Sequence, residues 1–325
     1  MSNDDDSGGW QLTESDPGVF TELLKTLGTP YIVDDLYSLE PESLAQLQPI
    51  RALIFLFKWL PTSGTEPRPT AGQPNTDFTG FFAHQTVNNA CATLAVMNAL
   101  GNIPSLVSGP QLADLFSFTV GMDPQTCGMA VTSADWLREA HNSLSPPSAI
   151  SLDGLGLPKT SEDAYHFVVY LPINGHVYEM DGLQQHPLKH GAYQDGGEGW
   201  LSVAREVIEN RIATYPTGAL EFSLLALRDD PIPQMEAQLR ACQESGRESD
   251  ANEVMVKISN ENSKRERWAF ENSLRRHNHM GMVHALLLSL AKAGKLEGAT
   301  ESAKKAMQER MARRREMGMS DMDED

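Results

Sequence analysis

Apolar positions along the chain change their spacing several times, and each change marks an element. From Asp16 to Leu27 (DPGVFTELLKTL) an acidic residue and a proline open a helical pattern with Val19, Leu23, Leu24 and Leu27 on one face. IRALIFLFKWL, Ile50 to Leu60, is instead a short apolar run rich in β-branched and aromatic residues, the pattern of a central strand. Pro61 to Gly80 has the Pro, Gly, Thr and Ser content of a loop, and helical spacing returns over Asn89 to Leu100 and Ser108 to Asn142, with a break at Gly121 to Pro124. AYHFVVYLPI and HVYEMDG then flank Asn174-Gly175, the dipeptide best suited to positive φ at both centres of a tight turn, and so predict a hairpin. A helix over Gly199 to Thr214 and a strand over Glu221 to Arg228 complete the pattern. Interleaved strands and helices with at least one antiparallel pair predict an α+β or mixed α/β domain over residues 1–230.

Pro231 and Pro233 punctuate the end of that domain. Residues 231–252 read as a linker or helical hinge, interrupted at Glu244 to Asn252 (ESGRESDAN). Residues 253–325 read as a helical partner-binding domain with a charged tail. Its main helix is expected from Glu253 to Ala293, where there is no proline and only Gly281 as a weak breaker, with Met282, Val283, Leu286, Leu287 and Leu290 on an apolar face. A length of 325 residues fits one large domain plus a smaller appendage.

Charge sharpens this division. Residues 231–325 carry 16 basic and 16 acidic side chains, whereas residues 1–230 carry 10 and 28, so the whole net charge of -18 sits on the first part. An acidic body argues against nucleic acid as a partner. No stretch approaches the roughly 20 apolar residues that span a bilayer, and the opening MSNDDDSGGW is unlike a signal or transit peptide, so the expectation is a soluble intracellular protein. Three cysteines, Cys91, Cys127 and Cys242, are too few for a disulfide framework and lack the paired spacing of a zinc site. Free thiols, no metal and no cofactor are expected.

One thiol stands out by its place. Cys91 falls at the first turn of a predicted buried helix, where unpaired N–H groups and aligned peptide dipoles favour negative charge. Acyl transfer by a thiol also needs a histidine to take its proton, a polar residue to orient that ring, and donors for the tetrahedral oxyanion. Gln85, six residues earlier, has the spacing of the oxyanion glutamine in papain-like cysteine proteases. Among nine histidines, His141, His186 and His190 lie in loop-like sequence, and His277, His279 and His284 belong to the C-terminal helix. His166 lies on the first hairpin strand. With a two-residue turn, positions whose numbers sum to 349 face each other, so His166 opposes Leu183 and Asp181 lies on the same face. That diagonal is roughly 7 to 8 Å between backbones, within reach of a side-chain hydrogen bond. A three-residue loop would put the two on opposite faces, and on strand pattern alone His166 fits a core histidine equally well.

The blocks GWQLTESDPGVFTELLKTLG, QTVNNACATLAVMNAL, AYHFVVYLPINGHVYEMDGL and GEGWLSVAREVIENRI together resemble the ubiquitin carboxyl-terminal hydrolase family of cysteine deubiquitinases, in that family's order over about residues 9 to 228. The resemblance implies Cys91 as nucleophile, His166 as general base and acid, Asp181 as the residue orienting His166, and Gln85 as oxyanion donor. It implies a papain-like α+β fold, a central antiparallel β-sheet flanked by helices and topologically knotted, with an α-helical C-terminal extension. It also implies a crossover loop above the site at about Leu144 to Asp163. Ubiquitin is the implied substrate, cleaved at the (iso)peptide bond of its C-terminus, and its basic tail would be steered by the acidic body. KRERWAFENSLRRHNHMGMVHALLLSLAKAGKL is similar to the C-terminal domain of the family's proteasome-associated long form, which implies docking on the proteasome's ubiquitin-receptor subunit, in animal members also on a chromatin-remodelling complex, and a cytoplasmic and nuclear location. The alternative is a ubiquitin-binding adaptor with little catalytic activity.

Overall fold

Every strand pairing in the computed structural model is antiparallel among the described residues, which are 8–58, 72–145, 165–215, 222–277 and 280–305. Seven strands, β1 (Tyr31–Asp35), β2 (Ile50–Lys58), β3 (Gln73–Pro74), β4 (Tyr165–Ile173), β5 (His176–Met180), β6 (Leu188–Ala192) and β7 (Phe222–Asp229), form one sheet in the order β1-β7-β2-β4-β5-β6-β3. The α+β class with a central antiparallel sheet is thus the observed one. β2 lies inside the sheet between β7 and β4, and its apolar run follows from cover on both faces. Ala52 and Ile54 enter one core with Leu94, Val96 and Met97 of helix α3 (Cys91–Leu100), while Leu53, Phe55 and Phe57 enter another with Leu201, Ala204 and Ile208 of helix α7 (Trp200–Ala213).

The local signals act as predicted. Asp16 caps helix α1 (Pro17–Thr26) by accepting from the Val19 N–H at 3.1 Å, ahead of Pro17. Asn174 and Gly175 take φ of 47° and 77°, and pairs such as Ile173 with His176 and Val169 with Met180 fall on the expected sum of 349. The helical stretch from Ser108 to Asn142 breaks twice, into α4 (Pro110–Phe118), α5 (Pro124–Thr132) and α6 (Asp135–Asn142). At the unforeseen second break the last residue of α5 is held by bonds near and far. The Thr132 carbonyl accepts from the Trp10 indole at 3.3 Å, and the Thr132 hydroxyl turns back to the Gly128 carbonyl at 2.8 Å.

β1, β6 and helix α2 (Pro41–Gln46) carry no clear periodic signal and were not expected, and β3 lies in the stretch expected to be loop. His141 and His190, expected in loops, are buried on α6 and β6. Most of the expected crossover loop, residues 146–163, lies outside the described residues.

Beyond residue 230 the chain is helical at once. Helix α8 (Pro231–Glu244) is capped by Asp230, and α9 (Glu248–Arg275) follows after a turn through Gly246. The expected interruption at 244–252 shrinks to Ser245–Arg247. The helix expected from Glu253 to Ala293 instead ends at Arg275, and α10 (Met280–Lys292) begins after it. By contacts one compact unit takes the described residues up to 145 and from 165 to 274, and a second takes those from 275 onward. This division places α8 and nearly all of α9 in the same unit as the sheet. In the first unit, Lys264 pairs with Asp34 of β1 at 2.6 Å, Arg265 with Asp230 at 2.6 Å, and the Asn272 amide donates to the Gly18 carbonyl at 3.0 Å. Trp268 lies so close to Gly18 that a Cβ there would sit 2.8 Å from the ring, which only glycine tolerates. In the second unit α10 leaves Met282, Val283, Leu286, Leu287 and Leu288 exposed.

Candidate active site

α3 is buried along its whole length except at its first residue, Cys91, which is half-buried. Ala90 precedes it and no side chain caps the helix. Asn89 turns the chain into the helix with φ of 68°, its amide donating to the Trp10 carbonyl at 3.1 Å rather than to the helix. The first-turn N–H groups beside the thiol therefore lack a side-chain acceptor and favour negative charge there. Cys127 and Cys242 are free thiols too, yet 3% and 1% exposed, and burial pushes the Cys127 thiol up.

His166 is the second residue of β4 and Asp181 the first residue past β5, where hairpin pairing has ended. Their parity puts them on one face, and His166 Nε2 lies 2.6 Å from Asp181 Oδ1, both side chains nearly sealed at 5% and 3% exposure. Asp181 Oδ1 also accepts from the Leu183 N–H at 2.9 Å. The Cys91 thiol is near enough to the His166 ring to contribute to its electrostatics. With Nε2 bonded to Asp181, exchange of a proton with the thiol would run through Nδ1. Burial disfavours the charged imidazole, but the hydrogen bonds and charges of Asp181 and Cys91 outweigh it and raise the His166 pKa to about 9. For Asp181 burial works against ionisation, and the bond and charge of His166 overcome it, so its carboxyl is held below the usual range.

Gln85 completes the expected set. Its N–H donates to the carbonyl of Gly182, the residue after Asp181, at 2.8 Å. Its Oε1 is buried without a hydrogen-bond partner. The four residues picked out in sequence are thus brought together by α3, β4, the end of β5 and the segment before α3. Among the described residues no group of three or more His, Cys, Asp or Glu is placed to hold a metal ion.

A second layer behind this set was missed. Phe57 pairs with His166 across β2 and β4, its ring edge-on to the imidazole at 5.8 Å. The Arg211 guanidinium from α7 lies 4.3 Å from the centre of the Phe57 ring, hydrogen-bonds to Glu179, and donates to the Tyr170 hydroxyl at 3.0 Å. Glu179 is also bonded to His190 at 3.2 Å. Burial opposes the Glu179 charge, Arg211 and His190 restore it, and its carboxyl is held below the ordinary value. The available signal was Glu179 itself, an acid two residues before Asp181 on an otherwise apolar strand. His141 was also misjudged. Its Nε2–H donates to the Gln11 carbonyl and its Nδ1 accepts from the Thr93 hydroxyl, both at 2.7 Å, so it pins the segment after Trp10 against the first turn of α3.

The family described as "Ubiquitin carboxyl-terminal hydrolase, family 1" matches residues 10–213. The chain belongs to the ubiquitin carboxyl-terminal hydrolase family. It is a cysteine hydrolase on that ground, with a C-terminal extension over which a second family model, described as "Ubiquitin carboxyl-terminal hydrolases", matches residues 251–296. Ubiquitin carboxyl-terminal hydrolase ubh-4 of Caenorhabditis elegans is 38% identical over 312 residues, 94% of each chain. Ubiquitin carboxyl-terminal hydrolase 2 of Schizosaccharomyces pombe is 35% identical over 285 residues, 87% of this chain and 91% of that one. Among solved structures, Trichinella spiralis UCH37 bound to ubiquitin vinyl methyl ester superposes with a TM-score of 0.65 at 32% identity, covering 80% of this hydrolase and 99% of that chain.

Proposed function

We propose that this hydrolase removes ubiquitin from conjugates by thiol acyl transfer at the C-terminal carbonyl of ubiquitin, with Cys91 as nucleophile. The observation that carries the reading is the His166–Asp181 hydrogen bond with its imidazole beside Cys91, the one half-buried residue of an otherwise buried helix. His166 Nδ1 takes the thiol proton, and Asp181 holds the ring through Nε2–H and favours the imidazolium. The thiolate attacks the carbonyl carbon, and the oxyanion that forms is met by the Cys91 backbone N–H and the Gln85 amide. His166 then protonates the leaving amine. A water attacks the thioester with His166 as base, and free ubiquitin and the thiol are regenerated. The reading is tested by covalent labelling with ubiquitin carrying a C-terminal electrophile, followed by intact mass. Wild type and Cys127→Ala label and Cys91→Ala does not; a Cys91→Ala protein that labels fully would overturn it.

The finer setting rests on the extension. We propose that residues beyond 253 dock on the ubiquitin-receptor subunit of the proteasome, so that the enzyme acts on conjugates held there, in cytoplasm and nucleus. Support comes from the match over 251–296 and from the exposed apolar residues of α10. Leu287→Asp is expected to abolish co-sedimentation with proteasomes while leaving hydrolysis of a ubiquitin C-terminal fluorogenic amide unchanged. A chromatin-remodelling complex is a further partner on the same extension, read out by co-purification from nuclear extract.

A further inference from the structure

The segment from Phe81 to Ala83 belongs to no strand, yet its backbone is paired. Asn102 accepts from the Phe81 N–H at 3.1 Å and donates to the Phe81 carbonyl at 2.7 Å. One helical turn earlier, Asn98 accepts from the Ala83 N–H at 2.8 Å and donates to the Ala83 carbonyl at 3.2 Å. Each side-chain amide thus supplies the donor and acceptor that a neighbouring strand would offer. The Asn102 amide also donates to the Asn98 carbonyl at 2.7 Å, which joins the two rungs. Asn98 is 1% exposed in the otherwise apolar helix CATLAVMNAL, a position where an amide is tolerated only with its hydrogen bonds made.

Spacing turns these bonds into a ruler. At about 100° per residue, Cys91 and Asn98 fall within about 20° of one another on one face of α3, and Asn102 follows in the turn just past the helix end, bonded back to the Asn98 carbonyl. The axial rise of about 6 Å from Asn102 to Asn98 matches the roughly 6.6 Å of two extended residues from Phe81 to Ala83, so the segment runs antiparallel to the helix. Continued at the same spacing, two more residues would bring Gln85 to the level of Leu94, about 4.5 Å along the axis from Cys91, a gap that a glutamine side chain spans. Elsewhere the segment is anchored to other elements. The His84 N–H donates to the Pro124 carbonyl at 3.0 Å and the Gln85 N–H to Gly182 at 2.8 Å. Gly128 lies so close to the His84 carbonyl that a Cβ there would sit 2.1 Å from its oxygen. The asparagines tie the segment to the helix that carries the thiol.

We infer that the Asn98–Asn102 ladder sets the register of the Gln85 segment against the Cys91 helix, making Asn98 a positioning residue for the oxyanion amide. This rests on the roles proposed above for Cys91 and Gln85. The test is a double-mutant cycle on a ubiquitin C-terminal fluorogenic amide with Asn98→Leu, Gln85→Ala and both together. Asn98→Leu alone is expected to lower kcat about 10- to 100-fold with KM unchanged, because the donor is displaced and not the bound ubiquitin. In the Gln85→Ala background the same substitution costs less than about 2-fold, since the donor it positions is already gone. Alkylation of Cys91 by chloroacetamide, which forms no oxyanion, keeps its wild-type rate in Asn98→Leu. Equal losses in both backgrounds, or slowed alkylation, overturn the ladder and leave the Gln85 role standing. A fully active Gln85→Ala protein overturns the Gln85 role and the ladder with it. Should Asn98→Leu fail to fold, Asn102→Leu at the half-buried outer rung carries the same cycle, with a smaller first loss and the same disappearance in Gln85→Ala.

Discussion

Protonation of His166 joins two properties that are measured separately. Its pKa stands at about 9 in the folded chain, above the ordinary value, so the charged ring stabilises the fold fully below pH 6.5 and that contribution is lost as pH rises through about 9. Activity needs the same proton for the leaving amine, so kcat/KM for a ubiquitin amide should show an alkaline limb near pH 9. Asp181→Asn removes the charge that holds the proton. Its limb should move down toward pH 6.5 and kcat should fall about 10³- to 10⁴-fold; a limb that stays at 9 would assign it to another group. His141 has the opposite sign. Burial holds it neutral and its pKa down, so its contribution is complete above pH 6.5 and is lost as pH falls below that value. The thermal midpoint of wild type should therefore drop on acidification from pH 6.5 to 5 more steeply than that of His141→Gln, whose amide keeps a donor and an acceptor for Gln11 and Thr93.

At the scale of elements, α9 behaves as part of the sheet domain. Lys264 and Arg265 pair with Asp34 and Asp230, Lys264 lies 4.8 Å from the Trp268 ring centre, and Trp268 fills the space left by Gly18. Trp268→Ala should destabilise this unit by about 3 kcal/mol, mostly as lost apolar burial, seen as a lower midpoint in urea with labelling by electrophilic ubiquitin unchanged in the folded protein. Composition hid this docking. The charged stretch of α9 reads as a separate piece because the partners of Lys264 and Arg265, Asp34 and Asp230, come from a strand 230 residues away and from the domain's end. The break before α10 was hidden too, because neither proline nor glycine lies between Arg275 and Met280.

Over the whole molecule, the excess of acid on residues 1–230 gives a field that acts before contact. If it steers the basic tail of ubiquitin, kcat/KM should fall several-fold between 50 and 300 mM salt, with kcat at saturation unchanged; a flat profile would leave the charge to solubility alone. What the sequence determined by itself was whatever depends on near neighbours. Asp16 and Pro17 start a helix, Asn174-Gly175 close a two-residue turn, and the parity of that turn places His166 and Asp181 on one face. Cys91 at a helix tip, six residues from Gln85, was legible for the same reason. Tertiary structure alone decided which carbonyls and charges meet across the chain. The Trp10 indole bonds the Thr132 carbonyl where a helix ends, His190 and Arg211 converge on Glu179 behind Phe57, and Asn98 and Asn102 hold the segment that leads to Gln85. Buried polar groups must find partners wherever the fold brings them, and local pattern carries no record of partners a hundred residues away.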